Sequence, residues 1–207
     1  MIRLQGVDKE STLHTPTSIP QGAYVLADNP RLYEPQRANN FDLLIEGLDN
    51  IRRVGMVGDE ENGTIPNAKE LFRIAVNSSF VPHFSMTSID IRRGNSMFKV
   101  AGLPTFDDGQ ATLNDYIGAE TLDILMAWQN QAYDVETEKV GLIEDYKKDA
   151  WLVEYTPDWQ VVRKYFIKGI WVSAISEDNF SREQDGKRSV SVTFKYDYAK
   201  LDSSEIE

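Results

Sequence analysis

The stretch SIDIRRGNSMFKVAG, Ser88 to Gly102, decides how this chain is read. Ile89 and Ile91 alternate with Ser88 and Asp90; further on, Phe98 and Val100 alternate with Met97 and Lys99. Alternation of this kind has the period of a half-buried strand. Between the two runs stands Gly94-Asn95, a pair that closes tight hairpins because glycine tolerates positive φ. The stretch therefore predicts a β-hairpin with Arg92 and Arg93 beside its tip. Two adjacent arginines at a tip need a reason in a chain of formal net charge -11.

Composition narrows what that reason can be. The 207 residues allow one domain with additions, or two small ones at most. Hydrophobic residues make up 41%, enough for a core. With 33 acidic against 22 basic residues, the chain is poorly suited to wrapping duplex, which requires cations that displace counterions. The absence of cysteine excludes disulfides, zinc–thiolate sites and thiol nucleophiles. The start, MIRLQGVDKESTLHTP, has no apolar region of the secretory kind. Apolar clusters such as LDILMAWQ are too short to span a bilayer. The expectation is a soluble protein with no membrane partner.

Working outward from the hairpin, residues 1–39 read as an extended arm. Four of the eight prolines fall in its stretch STLHTPTSIPQGAYVLADNPRLYEPQRANN, and each restricts its neighbours. Tyr24, Tyr33, Val25 and Leu26 suit an arm that docks rather than a solvated leader. Residues 40–207 read as the folded domain. NNFDLLIEGLD is its first strand, and residues 52–70 look like an inserted loop containing the charged run GDEENGTIPN. Asn67 is placed to cap a short helix with Leu71, Ile74 and Ala75 on one face. GLPTFDDGQATLNDYIG is expected to turn and then run as a strand. GAETLDILMAWQNQAYD predicts a longer helix whose apolar face is Leu122, Leu125, Met126, Gln129 and Tyr133, with Glu120 and Asp123 in its first turns. Two strands joined at Thr156-Pro157-Asp158 follow. A last strand, RSVSVTFKYDY, has Val190, Val192, Phe194 and Tyr196 on one face. About seven strands with one solid and one short helix make a mainly β α+β domain, a sandwich or partly closed barrel with a packed helix.

Catalytic patterns are missing from the sequence. His14 and His83 have no second histidine or carboxylate at metal-ligand spacing, so both read as structural or solvated. No GxGxxG, P-loop, GxSxG or HExxH occurs. Asp107-Asp108-Gly109 and DEEN at 59–62 lack the alternating ligands of a calcium loop and read as turn acids. Glu144, Asp145 and Asp149 around Lys147-Lys148 read as a mixed-charge loop. Trp128, Trp151, Trp159 and Trp171 are placed for core or interface packing, although such residues also stack on sugars. The expectation is a non-enzyme with no catalytic residue, metal or cofactor.

Several motifs, taken in order, carry a resemblance. They are Ile91, Arg93, Gly94 and Asn95 in the hairpin; Gly102, Pro104, Thr105 and Phe106; Trp128 in the helix; Tyr146 to Ala150; Val162, Phe166, Gly169 and Trp171; and Val192, Thr193, Phe194, Tyr196 and Asp197. This order, over roughly residues 40–200, resembles the tail tube proteins of contractile-tailed bacteriophages. The long arm and the 52–70 loop depart from that family's pattern.

The resemblance implies a subunit whose strands join a barrel in a hexameric ring, with the rings stacked into a tube. It implies a lumen that conducts DNA without specific binding and holds a tape-measure protein. The implied partners are further copies of the chain, the tail sheath, the baseplate and a tail terminator. The implied location is a virion tail assembled in the cytoplasm of a bacterial host. Related readings are a tube terminator or adaptor and the inner tube of a phage-like injection particle; a β-sandwich carbohydrate-binding module is the alternative from another class. Within the tube reading, Arg92, Arg93, Gly94 and Asn95 are expected at a ring-to-ring contact. The arm is expected to clamp neighbouring subunits, and the acidic balance to keep the bore from holding DNA.

Overall fold

The structure, a computed structural model, describes residues 35–49, 51, 65–116, 120–177 and 186–202. Asn39–Glu207 forms one compact unit and Met1–Ala38 another. The expected arm therefore lies almost wholly outside the described residues, as do 52–64 of the expected loop. The elements run β1 (Phe41–Ile45), α1 (Ala68–Ala75), β2 (Val76–Ser78), β3 (Phe84–Arg93), β4 (Ser96–Phe106), β5 (Gly109–Asn114) and α2 (Thr121–Ala132). Then come β6 (Tyr133–Asp134), β7 (Lys139–Val140), α3 (Ile143–Tyr146), β8 (Lys148–Tyr155), β9 (Val161–Glu177), β10 (Ser189–Lys195) and β11 (Tyr198–Leu201).

A seven-stranded sheet in the order β1-β8-β9-β10-β5-β2, with β11 also on β9, bends into a nearly closed barrel shape. The expected mainly β domain with a packed helix is the one found. Strand β9 joins its two halves: its first part pairs with β8 and β11, its last with β10. Lys195 faces Trp171 and Tyr198 faces Lys168, so β10 and β11 follow one register along β9 with a break at Tyr196-Asp197. Opposite that break sits Gly169 at φ +67, a conformation that disfavours any residue with a Cβ.

Alternation explains the core. Val190, Val192, Phe194 and Tyr196 are buried from β10, as the sequence predicts. They meet Ala111 and Leu113 of β5, Ile167, Ile170 and Val172 of β9, and Leu43 and Ile45 of β1. The turn between β8 and β9 falls where Thr156-Pro157-Asp158 predicts it. Thr156 N donates to Gln160 O at 2.8 Å, and Gln160 N donates to Thr156 Oγ1 at 3.0 Å.

Both helices bury faces that only partly match those expected: Ala75 and Leu125 are buried and Leu71 and Leu122 pack against the core, but the rest of each face shifts. In α1 the anchor is Phe72 with Ala68 and Ala75, while Ile74 points to solvent. Ion pairs accompany that face: Arg73 Nη2 lies 2.5 Å from Asp42 and Lys69 Nζ 2.8 Å from Glu46, which sets α1 along β1. Asn67 occupies the cap position in a left-handed conformation, but its side chain makes no capping bond. In α2 the buried residues are Thr121, Ile124, Leu125, Ala127 and Trp128, while Met126 and Tyr133 stay exposed. Leu122 through Trp128 contains apolar residues on more than one side, so periodicity alone could not choose between the faces. At the base of the 52–70 loop, Ile51 and Ile65 are both buried, and Ile65 N donates to Ile51 O at 3.1 Å.

Candidate assembly surface

The hairpin forms as read, but it stands apart from the sheet. Strands β3 and β4 pair only with each other among the described residues. Ile89 faces Val100 and Ile91 faces Phe98, which gathers all four apolar side chains on one face. On the other face lie the pairs Ser88/Ala101, Asp90/Lys99 and Arg92/Met97. The whole of β3 is exposed, and so are Phe98, Val100 and Met97 of β4. Exposure reaches 65% at Met97 and 82% at Leu103. A two-stranded hairpin has marginal stability in water, and unpaired edges on an apolar ribbon invite another chain.

Gly94 has φ +61 and Asn95 is not in the positive region, the order of a turn with glycine at its first central position. Ser96 Oγ donates to Arg93 O at 3.0 Å across the closing pair. The two arginines are separated by the pleat: Arg92 is opposite Met97 and Arg93 opposite Ser96, so they leave on opposite faces. They do not form one cationic site, because neighbours in a strand point to opposite sides. Neither makes an ion pair among the described residues. Asp90 and Lys99 do, at 3.7 Å, an exposed pair of the kind worth ~0–1 kcal/mol.

Gly102-Leu103-Pro104-Thr105-Phe106, expected as a turn, continues β4 through a bulge instead. The register passes from Met86/Pro104 to Ser88/Ala101, so one extra residue stands on β4. A Cβ on Gly102 would press on the Thr87 carbonyl oxygen at 2.8 Å, which explains glycine there. Aromatic packing holds the hairpin's base. Phe84 and Phe106 rings lie 5.7 Å apart, and Phe106 lies 5.9 Å from Tyr196. Tyr196 OH donates to His83 O at 3.2 Å, and His83 Nε2 lies 3.3 Å from Asp107 Oδ2. The His83–Asp107 pairing was not legible, because it crosses the whole hairpin.

A second exposed apolar surface lies beyond α2. The β6–β7 ribbon and α3 expose Val135, Val140, Leu142 and Ile143, with Val140 at 77%. Beside it, Met126, Gln129, Tyr133, Val135 and Trp171 line an open groove of about 480 Å³. From Tyr133 to Tyr146 there are five acids, Asp134, Glu136, Glu138, Glu144 and Asp145, against Lys139 alone. Asp134 accepts bonds from Thr137 Oγ1 at 2.5 Å and Glu136 N at 3.0 Å, and the first of these chiefly holds its carboxyl below the ordinary value.

The tryptophans divide. Trp128 is buried, Trp151 and Trp171 are half-buried, and Trp159 is 71% exposed on the β8–β9 turn. Lys147 and Lys148, read as part of a mixed-charge loop, take separate roles: Lys147 reaches Asp197 at 2.6 Å, while burial lowers the Lys148 ammonium's pKa. Among the described residues no group of three His, Asp or Glu side chains is placed to hold a metal ion, and no helix is long and apolar enough to cross a membrane.

No family model and no curated protein matches the chain. Solved structures do. A chain of the anti-feeding prophage tube-terminating cap is 13% identical with a TM-score of 0.55, over 82% of this chain and 91% of that one. A chain of the sheath-tube complex of the PVC extracellular contractile injection system, in its extended state, is 13% identical with a TM-score of 0.56, over 91% and 99%. One from the sheath/tube terminator of the same kind of system is 16% identical with a TM-score of 0.56, over 83% and 99%. The tail-tube-like fold expected from the motifs is thus the fold found: this chain has the fold of the tube and tube-terminator proteins of phage-like contractile injection systems.

Proposed function

We propose that the chain is a structural, non-catalytic subunit of the inner tube of a contractile tail or phage-like injection particle. In this reading it forms hexameric rings that stack around a lumen, inside a sheath and between a baseplate and a terminator. The observation that carries the reading is the β3–β4 hairpin, which exposes Ile89, Ile91, Phe98 and Val100 on one face and pairs with no third strand among the described residues. An isolated monomer gains nothing from such a hairpin; a ring covers it. Arg92 and Arg93, one on each side of the tip, then reach the next ring, with Gly94-Asn95 setting the turn. The 1–39 arm clamps neighbouring subunits. In a phage tail the lumen passes DNA and holds a tape-measure protein, and the net charge of -11 repels phosphate from the bore.

A second reading, a tube terminator, draws support from the likeness to two terminating assemblies. Negative-stain electron microscopy of the purified chain tests both. Stacked hollow tubes of six-fold rings support the tube subunit, and single rings that do not stack support the terminator. A monomer at every concentration overturns both. A neutral or basic bore in a reconstructed tube overturns the repulsion argument alone.

A further inference from the structure

The hairpin needs a receiving surface, and the molecule presents one that complements it. We infer that the groove between α2 and β9, with the β6–β7 ribbon and α3 at its rim, receives the β3–β4 hairpin of a second copy of this chain. This rests on the self-assembly proposed above and names the acceptor within it.

Chemistry matches on two counts. The hairpin offers an apolar face of Ile89, Ile91, Phe98 and Val100, and the groove offers Met126, Tyr133, Val135 and Trp171. Charge is opposite: between Phe84 and Phe106 stand Arg92, Arg93 and Lys99 against Asp90, whereas the rim carries five acids against one lysine. With the apolar face down, Arg93, which shares that face through the Arg93/Ser96 pair, enters the groove at the hairpin tip, while Arg92 points away from it. The acids Glu136, Glu138, Glu144 and Asp145 are exposed on the rim, where opposite charge guides docking and fixes its orientation. The groove is open, and the buried Val172 is among the residues that line it.

Donor and acceptor are different surfaces, so the contact is heterologous. Unless two copies exchange hairpins reciprocally as a two-fold dimer, such contacts close into rings or propagate as open stacks. A single hairpin-in-groove contact, repeated, therefore suffices to make an oligomer larger than two.

The chain has no cysteine, which makes a cross-linking test clean. Ile91→Cys and Val135→Cys are prepared separately, mixed under assembly conditions and treated with a short bis-maleimide. The expected result is a covalent dimer from the mixture and none from either variant alone. A second measurement reverses charge. Arg92→Glu with Arg93→Glu, and separately Glu136→Lys with Glu138→Lys, each lose assembly at concentrations where the wild type assembles, and the chain carrying all four changes regains it. A wild type that assembles while the mixture gives no covalent dimer and the four-fold variant shows no recovery overturns the acceptor and leaves the tube reading standing. A wild type that stays monomeric overturns the tube reading and the acceptor with it.

Discussion

Trp128 Nε1 donates to the backbone carbonyl of Tyr146 at 2.7 Å, which ties the middle of α2 to the end of α3. Trp128 is 1% exposed, and its ring lies 5.7 Å from Phe194 in the core. Tyr146 in turn sets its ring edge-on to Trp171 at 5.8 Å. Through these contacts one indole connects the core to the segment that rims the groove.

Replacing it separates the two roles. Trp128→Phe keeps most of the apolar bulk but leaves the Tyr146 carbonyl without its partner, at a cost of about 1–3 kcal/mol. Trp128→Ala opens a cavity and costs about 3–5 kcal/mol. Urea unfolding of both variants should give that ranking; equal losses would show that the apolar bulk adds nothing beyond the hydrogen bond, and a Trp128→Phe variant as stable as wild type would show that the bond contributes nothing.

Two glycines at positive φ should behave differently. Gly169 has φ +67, and an added Cβ would press on Asp197 Cγ at 3.0 Å, disturbing the Lys147–Asp197 pair. Gly169→Ala should destabilise the body by about 1–2 kcal/mol from backbone conformation alone, with the contact adding to it. Gly94 has φ +61 with nothing within 4 Å of an added Cβ. Gly94→Ala should therefore strain only the hairpin tip and leave the thermal midpoint of the body near the wild-type value.

The exposed hairpin should tolerate charge. Ile91→Asp with Phe98→Asp places two carboxylates on a face that touches none of the core. Circular dichroism and the unfolding midpoint should match the wild type, while rings and tubes disappear from electron micrographs. A drop in the midpoint comparable to that of Trp128→Ala would place the hairpin inside the folding unit.

Burial raises the Tyr196 phenol above its ordinary value of 10.0, and burial does the same for Tyr155. A raised pKa in the folded state gives stability that is complete below the unfolded value and is lost as pH rises through the folded one. Stability should therefore be level in this respect at neutral pH and decline above about pH 10. Tyr196→Phe should shift the baseline by removing the bond to His83 O, and it should also make the alkaline decline shallower, with the Tyr155 share remaining. Denaturant midpoints followed across the alkaline range report both effects, and an unchanged slope would show that Tyr196 does not contribute.

The outcomes at particular residues show where local pattern is sufficient. Alternation at period two named the hairpin, its turn and the buried face of β10 correctly, because neighbours along a strand must point to opposite sides whatever surrounds them. The same rule, applied to Arg92 and Arg93, already implied that they part. Helix faces were less legible: Met126 and Tyr133 follow the same spacing as Leu125 yet remain exposed, because the chain beyond α2 leaves a groove there instead of a covering strand.

The sequence by itself determined the longer strands, the tip of the hairpin and that the hairpin has one apolar face, though not the short β2, β6, β7 and β11 or the run of β4 through Phe106. These follow from side-chain periodicity and from the φ that glycine permits. Only the tertiary structure decided that this hairpin stays off the sheet, that His83 meets Asp107, and that an acidic rim borders an apolar groove. Those relations join residues far apart in the chain, and which surfaces remain uncovered is settled by how the whole sheet closes.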